Sequence, residues 1–268
     1  MLTTIVSNRR LNETQFLLRL KTGERIANLI PGQFFMCRIP GSSGLILRRP
    51  FSISDANVQS LEIAYKITGA GTSVISQLKE KDTLDILGPF GNGFILEHQL
   101  ENAFLVAGGI GVAPFPLLAK VIHKKWGKKT DITLFYGART SHELVLKDKL
   151  SSVTDKILFA TEDGSKGKKG FVTDLLSEKL GKLSQTARDE TMIFASGPTA
   201  MLKAVDIIAQ KWNVRCQISV ETVMGCGYGV CLGCVMKIKG NCNETNGKKY
   251  KLACKDGPVF YSGQLEWD

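Results

Sequence analysis

Four cysteines near the carboxyl end constrain this chain more than any other feature of it. They stand in Met224-Gly225-Cys226-Gly227-Tyr228-Gly229-Val230-Cys231-Leu232-Gly233-Cys234 and in Ala253-Cys254-Lys255-Asp256-Gly257-Pro258, a C-x4-C-x2-C…C spacing. Three thiolates on one short loop and a fourth from farther along is an arrangement that encloses a [2Fe–2S] cluster. The glycines at 225, 227, 229 and 233 fit that reading. A loop curled around bridging sulfides needs positive φ angles and backbone N–H groups close to sulfur, which residues without a Cβ permit. A zinc ribbon usually shows two C-x2-C knuckles, and only Cys231 and Cys234 form one. Seven cysteines in 268 residues, with no secretory signal, do not suggest a disulfide framework.

Cys242 also lies downstream of Cys234, so two candidates exist for the fourth ligand. It sits in Asn241-Cys242-Asn243-Glu244-Thr245-Asn246-Gly247, which reads as the polar tip of a hairpin between Val235–Lys239 and Lys249–Ala253. A hairpin returns its far end to its start. This favours Cys254 over Cys242, with Cys242 left as the alternative.

The rest of the chain divides by rhythm. Residues 1–100 carry short strand candidates at Thr4–Asn8, Thr14–Lys21, Gln33–Ile39, Arg49–Ser54, Leu61–Ile67 and Thr83–Leu87, with Pro-Gly breaks at 31–32 and 40–41. That spacing predicts a small antiparallel β-barrel. One helix is expected from Gly71, where a hydroxyl can cap the first turn and free N–H groups can face an anion. From residue 101 to 221 apolar runs alternate with amphipathic segments, among them Ala103–Ala107, Ala113–Trp126, Ile132–Tyr136, Glu143–Ser151, Ile157–Thr161, Val172–Leu180, Met192–Ala195, Thr199–Trp212 and Gln217–Val220. Strand, helix, strand at that rhythm predicts a parallel α/β sheet whose ligands sit at the carboxyl ends of the strands. Residues 222–268 form the cysteine module. The fold class expected is therefore β + α/β, with an N-terminal antiparallel barrel, a central parallel-sheet nucleotide-binding domain and a small C-terminal [2Fe–2S] module.

Net charge is +10, from 35 Lys and Arg against 25 Asp and Glu. The lysines are scattered rather than striped and no aromatic platform accompanies them, so no nucleic-acid partner is expected. A basic surface also suits an anionic dinucleotide or an acidic partner protein. The first residues have no charged region followed by an apolar core, and no apolar run reaches about 18 residues, so a soluble cytoplasmic protein is expected, with no membrane partner.

Two further stretches carry chemistry. Arg48-Arg49-Pro50-Phe51-Ser52 offers a guanidinium fork for a pyrophosphate and a hydroxyl near a flavin ring, and Ala64, Tyr65, Lys66, Gly71 and Thr72 would add a stacking ring and a helix N-terminus for phosphates. Gly108-Gly109-Ile110-Gly111, between a strand and a helix, is not the G-x-G-x-x-G fingerprint, and no acidic residue about 20 positions on clearly ends the next strand. His98, His123 and His142 show no metal-ligand spacing, and Cys37 and Cys216 read as small core residues.

Taken together in order, the R-P-F-S stretch, the GGIG-x-AP loop, the Ser196-Gly197-Pro198 turn and the terminal cysteine set resemble the ferredoxin–NADP reductase superfamily. Within it, the chain is most similar to the electron-transfer subunits of class 1B dihydroorotate dehydrogenase, and the similarity runs from the barrel to Asp268. The resemblance implies FAD on Arg49, Pro50, Phe51, Ser52, Ala64, Tyr65, Lys66, Gly71 and Thr72. It implies NAD on Gly108, Gly109, Gly111, Gly197 and Pro198, and a [2Fe–2S] cluster on Cys226, Cys231, Cys234 and Cys254. Ser196, near the nicotinamide, stands where that family usually has cysteine, and the segment between Cys234 and Cys254 is longer than the family's. The implied partner is an FMN-containing dihydroorotate dehydrogenase catalytic subunit, in a heterotetramer of two of each, passing electrons through cluster and FAD to NAD+ in pyrimidine biosynthesis. The alternative is an FAD/[2Fe–2S] subunit of an NAD(P)H-dependent ferredoxin or sulfur oxidoreductase. A cluster- or zinc-bearing binding module without turnover is the competing reading from another class.

Overall fold

The structure, a computed structural model, describes residues 1–23, 26, 29–41, 44–239 and 249–267. Buried and more exposed positions alternate through much of β1 (Leu2–Arg10) and β2 (Gln15–Thr22), as strands with one face on a core require. The Asn12 carboxamide closes the turn between them, accepting from the N–H groups of Thr14 at 3.0 Å and Gln15 at 2.9 Å. With β3 (Phe34–Cys37), β4 (Arg49–Ser52), β5 (Asp55–Ala56), β6 (Ser60–Lys66) and β7 (Thr83–Phe90) they build an antiparallel sheet ordered β4-β3-β7-β1-β2-β6-β5. The sheet curls until the Phe51 ring on β4 meets Tyr65 on β6 edge-on, at 5.9 Å between centroids. Helix α1 (Ala70–Gln77) links β6 to β7 and buries Ile75. Its first turn is closed from within, by Thr72 Oγ1 accepting from the N–H groups of Thr68 at 2.9 Å and Gly69 at 3.2 Å.

The second sheet is built from β8 (Asn102–Gly108), β9 (Asp131–Ala138), β10 (Lys156–Thr161), β11 (Lys168–Lys169), β12 (Thr191–Ser196) and β13 (Arg215–Ser219). These six strands are parallel, in the order β11-β10-β9-β8-β12-β13. Helices α2 (Phe115–Trp126), α3 (Lys147–Ser151), α4 (Val172–Gly181), α5 (Gln185–Asp189) and α6 (Thr199–Lys211) make the crossovers. β8 and β12 are buried almost throughout, as strands covered on both faces must be. The helix expected over Glu143–Ser151 starts only at Lys147. Leu144, Val145 and Leu146 are all buried, and three successive apolar side chains cannot share one helical face, so that stretch is not helical: Leu144 is extended and Leu146 turns left-handed, at φ 58°, into α3.

The expected hairpin is present as β14 (Val235–Lys237) paired antiparallel with β15 (Tyr250–Leu252). Its tip, with Cys242, lies outside the described residues. The chain then returns to the central sheet. β16 (Val259–Tyr261) pairs antiparallel with β13, in the register Ser219↔Val259, Ile218↔Phe260, Gln217↔Tyr261, and becomes the sheet's edge.

An ionic lattice joins the two sheets. Lys149 on α3 reaches Asp55 at 2.8 Å and also pairs with Glu62; Lys120 on α2 reaches Asp55 at 2.6 Å, and Arg19 on β2 reaches Glu62 at 2.5 Å. Burial would raise both carboxyls, but the ammonium and guanidinium partners outweigh it and hold each below its ordinary value. Removing a central cation from a lattice this sheltered leaves charge under-compensated. Lys149→Met should therefore lower stability by about 1–3 kcal/mol near neutral pH. Because the folded-state carboxyls are depressed, that stabilisation is present above the unfolded value of about 4 and disappears as pH falls through the folded values. Denaturant midpoints of the two proteins should thus converge below about pH 4, and a gap independent of pH would contradict the ionic account.

Candidate functional site

The two sheets face each other across a cleft of about 400 Å³. One wall is β4 and β6 with the start of α1, and it includes Arg49, Pro50, Phe51, Ser52, Ala64, Tyr65, Lys66, Gly71 and Thr72, all the residues expected for FAD. The opposite wall comes from the loop after β8, through Ile110, Gly111, Ala113 and Pro114. Ser196, Glu221, Met224 and Pro258 line the same cleft.

The tandem arginines divide their work. Arg48 turns inward, its Nη2 reaching Asp85 at 2.5 Å and its Nη1 donating to the Asp85 carbonyl at 3.0 Å, which ties β4 to β7. Arg49 faces the cleft, and Nη1 donates to the Leu47 carbonyl at 2.7 Å. A Cβ at Gly71 would lie 3.6 Å from Arg49 Nε, so the guanidinium sits beside the N-terminus of α1. A fork and a helix N-terminus side by side make a site suited to a pyrophosphate. The stacking role expected of Tyr65 is not available. Its ring is stacked inside the barrel on Phe16 at 5.5 Å and its hydroxyl donates to Asn8 Oδ1 at 3.1 Å, so Tyr65 walls the cleft instead. Burial pushes that phenol up to about 12, against the pull of the Asn8 bond.

A second cleft of about 650 Å³ lies over the carboxyl ends of β8, β9, β10 and β12. Gly108, Gly109, Gly111, Gly197 and Pro198 line it, as expected for a nicotinamide dinucleotide. Gly111 is there because two loops meet backbone to backbone: a Cβ would fall 2.5 Å from both the Gly197 Cα and the Ser196 carbonyl oxygen. Ser196 itself is buried at the end of β12 and lines the first cleft. The strand-end signals at Ala138-Arg139 and Thr161-Glu162 do place Arg139 and Glu162 in this second cleft. Arg139 is bound to Glu143 at 2.7 Å, and Lys66 approaches the same carboxylate at 3.4 Å. The Arg139 bond chiefly holds the Glu143 carboxyl low, against burial and with Lys66 assisting. Phe171, exposed at the start of α4, and Glu221, just past β13, also line this cleft and carry no local sequence signal of a ligand role. Lys66, Ile110, Gly111 and Glu221 line both clefts, which are therefore continuous.

The cysteine loop is wedged between the barrel and the central sheet. A Cβ at Gly227 would sit 2.4 Å from Met36 Cγ on β3, and the Tyr228 ring lies 5.8 Å from Phe90 on β7. Two of the four glycines, Gly227 and Gly229, take the positive φ angles expected; Gly225 and Gly233 do not, and Leu232 does, at 58°. Gly225 is instead constrained by sulfur, since a Cβ there would lie 3.2 Å from Cys231 Sγ.

The four thiols face one another in two pairs. Cys226 Sγ accepts from the N–H groups of Val230 and Cys231, each at 3.4 Å, while Cys234 and Cys254 approach to 3.1 Å between sulfurs. Burial would raise the Cys226 thiol, but N–H groups of Cys231, Tyr228 and Val230 outweigh it and draw the thiol down to about 6. Among the described residues no three acidic, histidine or cysteine side chains converge as ligands of a single ion. Two thiol pairs with amide donors aimed at sulfur fit a two-iron cluster, in which each iron takes two thiolates.

This fold and these clefts define a flavin- and nicotinamide-linked oxidoreductase carrying an iron–sulfur module. Residues 3–94 match the oxidoreductase FAD-binding domain, 105–206 the oxidoreductase NAD-binding domain, and 221–266 the iron–sulfur cluster binding domain of dihydroorotate dehydrogenase B. The chain is 36% identical over 262 residues to the dihydroorotate dehydrogenase B (NAD(+)) electron transfer subunit of Caldanaerobacter subterraneus subsp. tengcongensis, covering 97% of this chain and 96% of that one. It is 38% identical over 269 residues to the subunit of the same name from Streptococcus mutans, covering 99% and 97%. A solved chain from an NADH-dependent reduced ferredoxin–NADP oxidoreductase, described for flavin-based electron bifurcation, superposes with a TM-score of 0.84 at 31% identity, covering 100% and 91%. The cytochrome b5 reductase domain of Ulva prolifera nitrate reductase shares the fold, with a TM-score of 0.62 at 18% identity over 79% of this chain and 92% of that one. The chain belongs to the family of dihydroorotate dehydrogenase B (NAD(+)) electron transfer subunits.

The Gly111 contact is open to test. Gly111→Ala forces a methyl against two backbone atoms at 2.5 Å, whereas at Gly109, whose φ of 54° is left-handed, a Cβ meets nothing within 4 Å and the substitution costs backbone strain alone, about 1 kcal/mol. Overpacking of this kind costs about 1–3 kcal/mol. Gly111→Ala should lower the unfolding midpoint and weaken NADH binding, measured by calorimetry, more than Gly109→Ala does. A Gly111→Ala protein with the wild-type midpoint and NADH affinity would mean that the close approach of the two loops is not what shapes the cleft.

Proposed function

We propose that this chain is the electron-transfer subunit of a cytoplasmic dihydroorotate dehydrogenase. In this reading it accepts electrons singly from an FMN-containing catalytic partner and delivers them in pairs to NAD+, in pyrimidine biosynthesis. The observation that carries the proposal is the placement of the cysteine loop. Met224 and Pro258, close in sequence to Cys226 and Cys254, line the first cleft, while on the outer side Val223, Tyr228, Val230, Leu232, Val235 and Tyr250 are exposed. One side of the loop thus meets the flavin site. The other presents an apolar rim of the kind that marks a protein interface.

The roles follow residue by residue. Arg49 and the start of α1, with Gly71 and Thr72, hold the FAD pyrophosphate. Pro50, Phe51, Ser52, Ala64, Tyr65 and Lys66 shape the flavin pocket. Gly108, Gly109, Gly111, Gly197 and Pro198 receive NAD, with Ser196 beside them at the end of β12, lining the first cleft. Cys226 and Cys231 hold one iron; Cys234 and Cys254 hold the other. A bound flavin supplies the conversion between single electrons and a hydride, which neither a cluster nor a nicotinamide can perform alone. The division into a barrel domain at 1–100, a nucleotide domain at 101–221 and a cluster module at 222–268, and an assembly of two subunits of each kind, belong to the same proposal. Among the described residues no helix is long and apolar enough to cross a membrane.

The likeness to the ferredoxin–NADP oxidoreductase chain supports a second reading, a ferredoxin reductase subunit with the same cofactors. The assay that separates them is dihydroorotate-dependent reduction of NAD+ by the complex purified anaerobically from its native cells. Activity requiring this chain supports the first reading, and flavin and cluster without that activity would leave the second. Cys226→Ser and Cys254→Ser should each abolish the cluster absorbance and electron flow to the partner, while NADH still bleaches the bound flavin.

A further inference from the structure

Three hydrogen-bond donors from residues 262–267 meet on one buried carboxylate. Asp206, on α6 and 1% exposed, accepts from Ser262 Oγ at 2.5 Å and the Gly263 N–H at 2.8 Å through Oδ1, and from Trp267 Nε1 at 2.6 Å through Oδ2. Burial would raise that carboxyl, but the Ser262, Trp267 and Gly263 donors, with Gln210, outweigh it and hold it below its ordinary value. Bonds from donors to a sheltered anion are among the strong ones. Asp206 lines neither cleft, and the electron route gives it no role.

What it holds is a strap. The chain leaves β16 with the Ser262 N–H on the Cys216 carbonyl at 2.9 Å, turns at Gly263, whose φ is 81°, and runs back beside β14. There Lys239 donates its N–H to the Gln264 carbonyl at 2.8 Å and Glu266 donates to the Lys237 carbonyl at 3.0 Å, on either side of the antiparallel bridge between Ile238 and Leu265. Lys237 and Glu266 also pair through their side chains at 2.6 Å. A hairpin of two strands is marginal in water by itself, so the strap serves β14 as its second neighbour. β14 begins at Val235, next to Cys234, and Leu265 is buried in one core with Cys234 and Cys254. The first turns of α6 face the nucleotide side instead: Ala200, Met201 and Ala204 line the second cleft, and a Cβ at Gly108 would lie 2.8 Å from Met201 Sδ. One helix therefore borders the second cleft and grips the strap of the cysteine module.

We propose that Asp206 is a positioning residue for electron transfer: by gripping the strap it fixes β14, and with it Cys234, against the two clefts. The inference rests on the electron route given above. A loosened strap leaves β14 with β15 alone, and the Cys234 sulfur then wanders with the hairpin. The helix itself stays seated through buried Leu202, Val205 and Ala209, so the second cleft keeps its shape. Flavin and nicotinamide chemistry should therefore survive the loss of Asp206, and electron passage to the cluster should not.

The test uses the flavin- and cluster-loaded protein, reduced by NADH without oxygen. Asp206→Asn keeps the size of the side chain but sets an NH2 against a donor, so at least one of the three contacts is lost. NADH should bleach the flavin of this variant at the wild-type rate, while passage of electrons from flavin to cluster slows several-fold and the electron paramagnetic resonance of the reduced cluster shifts and broadens. Independently of activity, the amides of Lys239 and Glu266 should exchange hydrogen faster by about tenfold or more, the factor carried by one lost hydrogen bond to a charged group. Trp267→Phe, which keeps an aromatic ring and removes only the N–H given to Oδ2, should move every readout the same way by less. Wild-type resonance and electron passage in Asp206→Asn would overturn the assignment even if its melting point fell, since the carboxylate would then serve stability alone. Should that variant not retain flavin or cluster, wild-type resonance and passage in Trp267→Phe would overturn it equally. A wild-type protein whose flavin is bleached by NADH while its cluster stays oxidised would sink the electron route itself, whatever Asp206 does.

Discussion

The return of β16 onto β13 is the contact on which the arrangement of this protein depends. An antiparallel ladder fixes register to a single residue, because a slip of one would turn every side chain to the wrong face. Here it sets Val259 against Ser219 and so brings Pro258 to the first cleft and Cys254 back beside Cys234. The barrel is tied in at the same place. Asn92 donates from its amide N–H to the Gly257 carbonyl at 2.6 Å, and the Gln217 side chain both donates to the Ile95 carbonyl at 2.7 Å and accepts from its N–H at 2.8 Å. One strand thus fastens barrel, sheet and cysteine loop together.

Electron transfer explains why such rigidity serves this protein. A cluster, a flavin and a nicotinamide exchange electrons efficiently only when held close and kept from drifting apart, and here the relevant walls are shared rather than hinged. Cys234 and Cys254 lie in the same apolar core as Phe104, Ile193 and Ile218 of the central sheet. Gly227 lets the loop backbone settle onto Met36 of the barrel. On the far side, the Lys149, Asp55 and Glu62 lattice fixes α3 against β5 and β6. Apolar packing holds the cluster side of the barrel–sheet junction, and partly sheltered charge holds the other.

Much of this was legible in the chain. Short runs between turn signals gave β1, β2 and β6, and continuous apolar runs gave β8, β9 and β12, because chain breaks and burial on both faces write themselves directly into local sequence. The cysteine spacing and the glycine loops were legible for the same reason: each answers a local need of the backbone. Where reading failed, a distant partner decided. Residues 144–146 are apolar enough for a helix, yet Val145 donates its N–H to the Tyr136 hydroxyl at 3.1 Å and the stretch stays out of the helix, which begins only at Lys147. Tyr65 reads as a ring for stacking on a ligand, but Phe16 and Asn8, on neighbouring strands, take both its face and its hydroxyl.

By itself the sequence determined the order of elements and the four thiols, since these follow from side-chain period and from cysteine spacing. Only the tertiary structure decided which thiols face each other, which of Arg48 and Arg49 is structural, and that Glu221 stands where two clefts join. These are contacts between residues far apart in the chain. Their energies come from register, packing and charge at a meeting point that no local stretch of sequence contains.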